Sequence, residues 1–246
     1  MNHVRTVIMA GGMGKRLRPF TTVLPKPLLP VGDVPILDLV LRQLRHFGCN
    51  NITVTTGYLA ELILTYLGDG SRYGIKLQFA REKKPLGTAG PLSLIPIEVG
   101  ETFFVMNGDV LTNLNYLQMV KHHRRTGAVA TVATYRRPVT VDKGVITADK
   151  SGRITGFIEK PTYYNSVAMG IYTLEPVVMK FIPPNTRVDM PEVIHKLLGA
   201  GLPVQSFLFD DYWLDIGQPG DYEKAVSDYE NIKLSLLHKK RKKTNR

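Results

Sequence analysis

With one cysteine, Cys49, in 246 residues, no disulfide can form within the chain, and the disulfide-stapled secreted scaffolds are excluded. That fits a cytoplasmic setting. No apolar run approaches the roughly 20 residues that cross a bilayer, so no membrane partner is expected. Met1, Asn2 and His3 lead straight into an apolar segment, which predicts no signal peptide. Internal repeats, low-complexity linkers and breaks in composition are also missing. The length suits a single α/β domain, expected over residues 1–238, with ample chain for its own core.

Positive charge is the one excess. Six of the eleven net charges come from Lys239, Lys240, Arg241, Lys242, Lys243 and Arg246, leaving +5 on residues 1–238. The tail 239–246 has no apolar residue to pack and is expected to be disordered. A basic run can bind nucleic acid or an anionic surface, but no recognition module accompanies it, so nucleic acid is not expected as a partner. The moderate excess on the body matches anionic substrates. An assembly of identical chains is compatible with this composition.

Residues 6–30, TVIMAGGMGKRLRPFTTVLPKPLLP, organise the rest. A short apolar strand, 6–10, feeds Gly11, Gly12 and Gly14, which let the backbone turn sharply and bring its N–H groups to an anion. Lys15, Arg16, Arg18 and Lys26 place cations near the same turn. Taken alone, the glycines are equally well a tight turn with a solvated basic face. A Walker A loop needs Ser or Thr after its Gly-Lys, where Arg16 stands, and a dinucleotide fingerprint needs Gly where Leu17 stands.

Beyond that loop, apolar spacing predicts alternating strands (52–56, 75–80, 102–106) and helices (35–47, 59–67 and, briefly, 88–95). Later helices are predicted at 115–125, 191–198 and 222–237, and strands at 128–135, 170–174 and 204–209. A hairpin joins 145–148 to 154–158 around Lys150-Ser151-Gly152. Such alternation implies parallel strands with ligands at their carboxyl ends. Asp109 follows the strand 102–106 directly, in that crevice, although an Asx-turn would also account for it. Asp215 falls inside the apolar run YWLDIG, where an unpaired carboxylate is costly and a metal ion would be a partner.

The pattern GGxGxRLxP followed by PKP closely resembles the signature of the nucleotide-sugar pyrophosphorylases, the sugar-1-phosphate nucleotidyltransferases. The resemblance covers residues 4–230 in chain order. It implies a Rossmann-like three-layer fold with a mixed, mostly parallel sheet, and transfer of a nucleotidyl group from an NTP to a sugar 1-phosphate with release of pyrophosphate. By the same resemblance, Gly11, Gly12, Gly14 and Arg16 would hold the triphosphate and Lys26 would reach the phosphates. Asp109 and Asp215 match the family's magnesium-binding aspartates, and oxygen ligands beside a polyphosphate suit Mg²⁺. In Glu159-Lys160-Pro161 the Glu would bind sugar hydroxyls and Lys160 the sugar phosphate. Gly144 and Gly170 match sugar-facing glycines, while Lys143 and Ala168 depart from the Tyr and Asn usual in relatives.

The stretch PLGTAGPL at 85–92, with WLDIGQP at 213–219, is particularly similar to those of mannose-1-phosphate guanylyltransferases. Guanine offers two adjacent donors, which an acceptor-only Glu82 can take, with the Gly87 backbone on the base edge. GTP is therefore favoured. Uridylyl or thymidylyl transfer is the alternative, along with a surface pairing of Glu82 with Lys83 or Lys84. A non-catalytic nucleotide-sugar sensor would have lost a cation or carboxylate from the set that this chain retains. None of the six histidines is required, and His122-His123 reads as helix surface. No long hexapeptide-repeat domain is expected after the catalytic domain, and so no acetyl transfer by an appended β-helix.

Overall fold

The computed structural model describes residues 4–237, so the expected tail 239–246 lies outside the described residues. Strand β1 (Arg5–Met9) enters the glycine loop. A small hairpin, β2 (Pro30–Val31) with β3 (Val34–Pro35), then leads into α1 (Ile36–His46). Next come β4 (Asn51–Thr56), α2 (Ala60–Leu67), β5 (Lys76–Arg81), β6 (Phe103–Asn107), β7 (Val110–Thr112) and α3 (Tyr116–Thr126). The second half holds β8 (Ala130–Thr140), β9 (Val145–Ala148), β10 (Ile154–Ile158), β11 (Thr162–Leu174) and α4 (Met190–Gly199). It closes with β12 (Val204–Phe209), β13 (Trp213–Asp215) and α5 (Pro219–Leu236).

Seven strands form the central sheet in the order β12-β8-β11-β6-β1-β4-β5. Only β11 runs against its neighbours, β6 and β8; every other pairing is parallel. The central strands β1, β4 and β6 are buried on both faces, which is why they read as near-continuous apolar runs. In β1, Ile8 packs into the layer of Leu37, Leu41, Met119, Ala225 and Tyr229, while Val7 joins Phe103, Val193 and Leu197 on the other face. Helices therefore cover both sides, giving the three-layer, Rossmann-like α/β architecture expected. Among the described residues no helix is long and apolar enough to cross a membrane.

The differences from expectation have physical causes. Strand β8 runs on to Thr140 and β11 begins at Thr162, well beyond the predicted 128–135 and 170–174. Their outer halves pair with each other, Thr162 opposite Thr140 through to Ala168 opposite Thr134. Most of those residues are exposed, so no burial pattern marks them in the sequence. The helix expected over 88–95 is a 3₁₀ turn, Gly90–Leu94, with Pro91 near its start. Helix α5 begins at Pro219 rather than 222 because Pro is pre-set for a first turn.

His123 is not surface. It shares the inward face of α3 with Tyr116, Met119 and Val120, at helical spacing, and is 1 % exposed. Its Nδ1 lies 2.8 Å from Thr131 Oγ1 and its Nε2 3.0 Å from Glu175 Oε1. Burial holds the imidazole below its ordinary pKa, against the opposing pull of Glu175.

Candidate active site

The glycine loop crosses the carboxyl ends of β1 and β4. Ala10 N–H donates to Thr55 O at 3.1 Å and Tyr58 N–H to Gly11 O at 3.2 Å. Gly14, at φ +59°, is in the left-handed region and starts the 3₁₀ turn Lys15–Leu17. Leu17 is fully buried and anchors that turn, which leaves Lys15, Arg16 and Arg18 exposed around the loop. Gly12 has open space where a side chain would be.

Lys26 comes from the turn between two prolines and is only 9 % exposed. Its ammonium donates to Asp109 Oδ2. Asp109 lies in the turn joining β6 to β7. Gly108 permits that turn to lie against β1: its N–H donates to Met9 O at 2.9 Å, and a Cβ there would sit 3.2 Å from Ile8. The Asp109 Oδ1 atom is buried and has no protein partner.

The pairing of β7 with β13 brings Asp215 to the same place. Asp215 lies opposite Val110, and Ile216 N–H donates to Asp109 O at 3.2 Å. The expectation that Asp215 is enclosed in an apolar run is corrected here. Leu214 and Ile216 are buried while Asp215 is exposed, because strand alternation turns every second residue outward. Although the residue as a whole is exposed, crowding by its neighbours takes part of the water from the Asp215 carboxyl. This, then the Asp109 charge, holds it above its ordinary range, with Lys26 opposing and Asp221 and Arg16 adding smaller effects. Asp221 braces this segment: its Oδ2 accepts from Gly217 N–H at 3.1 Å and Gln218 N–H at 2.9 Å. Arg16 reaches the same turn, its guanidinium nitrogens 3.7 Å from where a Gly217 Cβ would lie.

Among the described residues no cluster of three or more His, Cys, Asp or Glu is suited to a metal. Two neighbouring carboxylates, one with a buried and unpartnered oxygen, nevertheless fit a hard divalent cation that takes its other oxygens from water and a polyphosphate.

On the far side of β6, Gly170 sits at φ +74° in the register shift of β11, and a Cβ there would lie 2.6 Å from Asn107 Nδ2. Trp213 Nε1–H donates to Met169 O at 3.2 Å, tying this bulge to β13. Gly144 packs on Phe157, and its missing Cβ would be 3.1 Å from Glu159 Oε2. Glu159 and Lys160 are exposed at the end of β10. Among the described residues no hydrogen bond or ion pair joins them to Lys26 or Asp109.

Glu82 follows β5 and lies against the glycine loop, where a Cβ on Gly11 would fall 1.9 Å from its Oε1. Its Oε2 accepts from Leu86 N–H at 2.8 Å. Burial raises its pKa, opposed by that hydrogen bond. Neither Lys83 nor Lys84 forms an ion pair with it among the described residues. Sequence reasoning missed the brace at Asp221. A signal was present, since Gln218 and Asp221 have the spacing of a helix-capping box.

The glycine loop over the strand ends thus faces a Lys–Asp pair and a second carboxylate, in the crevice where an α/β sheet places its ligands. Residues 5–232 match the family model described as nucleotidyl transferase, and the chain belongs to that family of nucleotide-sugar pyrophosphorylases. It is 35 % identical over 243 residues to a UTP–glucose-1-phosphate uridylyltransferase of Synechocystis, covering 91 % of this chain and 62 % of the relative. It is 34 % identical over 250 residues to the catalytic subunit beta of a mannose-1-phosphate guanylyltransferase of Drosophila pseudoobscura pseudoobscura, covering 97 % and 65 %. The chain thus spans somewhat less than two thirds of these relatives. A Bacillus anthracis structure solved with sucrose shares the fold, with a TM-score of 0.74 at 24 % identity over 91 % of this chain and 94 % of that one.

Proposed function

We propose that the chain transfers a nucleotidyl group from an NTP, with GTP preferred, to a sugar 1-phosphate, yielding a nucleotide-sugar and pyrophosphate. The observation that carries this reading is the convergence of Lys26, Asp109 and Asp215 beside the glycine loop, within a chain of the nucleotidyl transferase family. An oxygen of the sugar phosphate attacks the α-phosphorus, and the bond from that phosphorus to the bridging oxygen breaks. The nucleophile is already an anion, so no side chain need remove a proton. The glycine loop and Arg16 bind the triphosphate in line, and Lys26 neutralises charge on the reacting phosphates. Lys160 receives the acceptor phosphate, while Glu159, Gly144 and Gly170 line the sugar side. Asp109 and Asp215 would hold Mg²⁺, which when bound offsets charge on the triphosphate and the departing pyrophosphate.

Glu82 supports guanine. One lone pair of Oε2 is taken by Leu86, and the remaining acceptor capacity faces the loop that would contact the base. The sole cysteine, buried, supports a cytoplasmic setting. Purified chain with Mg²⁺ should be offered each of four NTPs against a panel of sugar 1-phosphates, scoring pyrophosphate. GTP with a hexose 1-phosphate is expected to react fastest, and Glu82→Gln to lower the GTP specificity constant at least tenfold. A preference for UTP removes the guanylyl assignment alone. Release with no pair removes nucleotidyl transfer.

A further inference from the structure

The loop proposed to read the base does not stand by itself. Residues 86–90 lie flat on residues 186–189, about a hundred positions along the chain. Val188 N–H donates to Leu86 O at 2.9 Å, and Val188 O accepts from Ala89 and Gly90 N–H at 2.9 and 3.0 Å. Gly87 permits the close approach: at φ +81°, a Cβ would fall 2.6 Å from Val188 O and 2.7 Å from Asp189 Oδ1. Asp189 Oδ1 accepts from Thr88 N–H at 2.8 Å and faces Thr88 Oγ1 at 3.3 Å. Thr88 Oγ1 in turn accepts from Met190 N–H at 2.8 Å, at the first residue of α4. At the other end of the loop, the Leu86 N–H rests on Glu82. A continuous path therefore runs from the start of α4 through Asp189, Thr88 and Leu86 to Glu82 and Gly11.

We infer that Asp189 is a positioning residue for nucleobase discrimination: it latches the 86–90 loop to α4 and so fixes the distance between Gly87 and Glu82 at the base edge. This rests on the nucleotidyl-transfer reading for the identity of the ligand. A group held to within about half an ångström by supporting hydrogen bonds can discriminate between donor patterns, whereas a loose loop adapts to both. Asp189 has a second task, at the helix end, and the two are separable. Glu192 Oε1 accepts from Asp189 N–H at 3.1 Å and serves the helix without touching Thr88.

Calorimetric titration of the full chain with GTP and with UTP, with no sugar phosphate present, tests this through affinity alone. Asp189→Ala should weaken GTP at least fivefold and narrow the GTP-to-UTP ratio at least threefold. Thr88→Val, which spares the aspartate at the helix end, should move both quantities the same way. Asp189→Asn keeps an acceptor oxygen for Thr88 N–H and should stay within threefold of wild type. Glu192→Ala should lower thermal stability while leaving both affinities within twofold. The proposal is overturned if Asp189→Ala and Thr88→Val both bind like wild type, if Glu192→Ala loses discrimination equally, or if Asn is as damaging as Ala. Wild type that binds GTP over UTP yet releases no pyrophosphate would remove the transfer reading and leave the latch standing. Intact transfer with unaltered discrimination in Asp189→Ala would do the reverse.

Discussion

The chemistry of single residues is set by which charges share the crevice. Asp215 is held above the ordinary carboxylate range by loss of water and by Asp109. The folded chain therefore binds that proton more tightly than the unfolded chain. The group favours folding below the ordinary aspartate range, and this contribution is lost as pH rises through the raised value. At neutral pH without metal, its ionised form works against folding. Asp215→Asn is thus expected to hold or raise the thermal midpoint in metal-free buffer while cutting turnover by roughly a hundredfold or more, the scale of losing an electrostatic stabiliser. Asp109→Asn should cut turnover similarly but lower the midpoint, because it leaves the nearly buried Lys26 without its counter-charge. Near-wild-type turnover in either variant at saturating Mg²⁺ would remove that aspartate from the metal site. Residue types at Gly14, Lys26 and Asp109 were legible in the sequence. Their partnership was not, since 83 positions separate Lys26 from Asp109 and only the fold joins them. The enclosed setting expected for Asp215 also failed, because a three-residue strand falls below the window in which alternation can be recognised.

Elements decide how firmly those residues are held. Strands with apolar neighbours on both faces, such as β1 and β6, announce themselves, as does α1 with its buried stripe from Ile36 to Leu44. The outer arms of β8 and β11 do not, because Arg136, Arg137, Tyr163 and Tyr164 meet no core and Pro138 interrupts the pattern. Their pairing is a non-local choice. The start of α5 is a designed stop of another kind: Asp221 gathers the Gly217 and Gln218 N–H groups immediately after Asp215. Asp221→Ala should cost about 1 kcal/mol, as helix-cap losses do, or roughly 2–4 °C in thermal midpoint for a chain of this size. It should also raise the Mg²⁺ concentration for half-maximal turnover, with Asp221→Asn recovering most of both. A midpoint shift with no change in metal requirement would confine Asp221 to the helix.

Across the whole molecule, the proposed site sits at the carboxyl ends of the parallel strands, and a partly buried polar network lies apart from it. Thr102 Oγ1 donates to Glu175 Oε1 at 2.7 Å, the same oxygen that meets His123. Because burial depresses the His123 pKa, its contribution is present above the ordinary histidine range near 6.5 and is lost as pH falls through the lowered value. Thermal midpoints measured from pH 7 to pH 5 should fall, and His123→Gln should flatten that slope while lowering the pH 7 value. An unchanged slope would mean that other groups carry the acid sensitivity. The most direct test of the central claim follows the atoms. GTP radiolabelled at the α-phosphorus, or separately at the γ-phosphorus, should be incubated with wild-type chain, Mg²⁺ and the best sugar 1-phosphate. The α label is expected in the nucleotide-sugar and the γ label in pyrophosphate, one for one, and α label in free nucleotide or γ label on the sugar would contradict nucleotidyl transfer at this site.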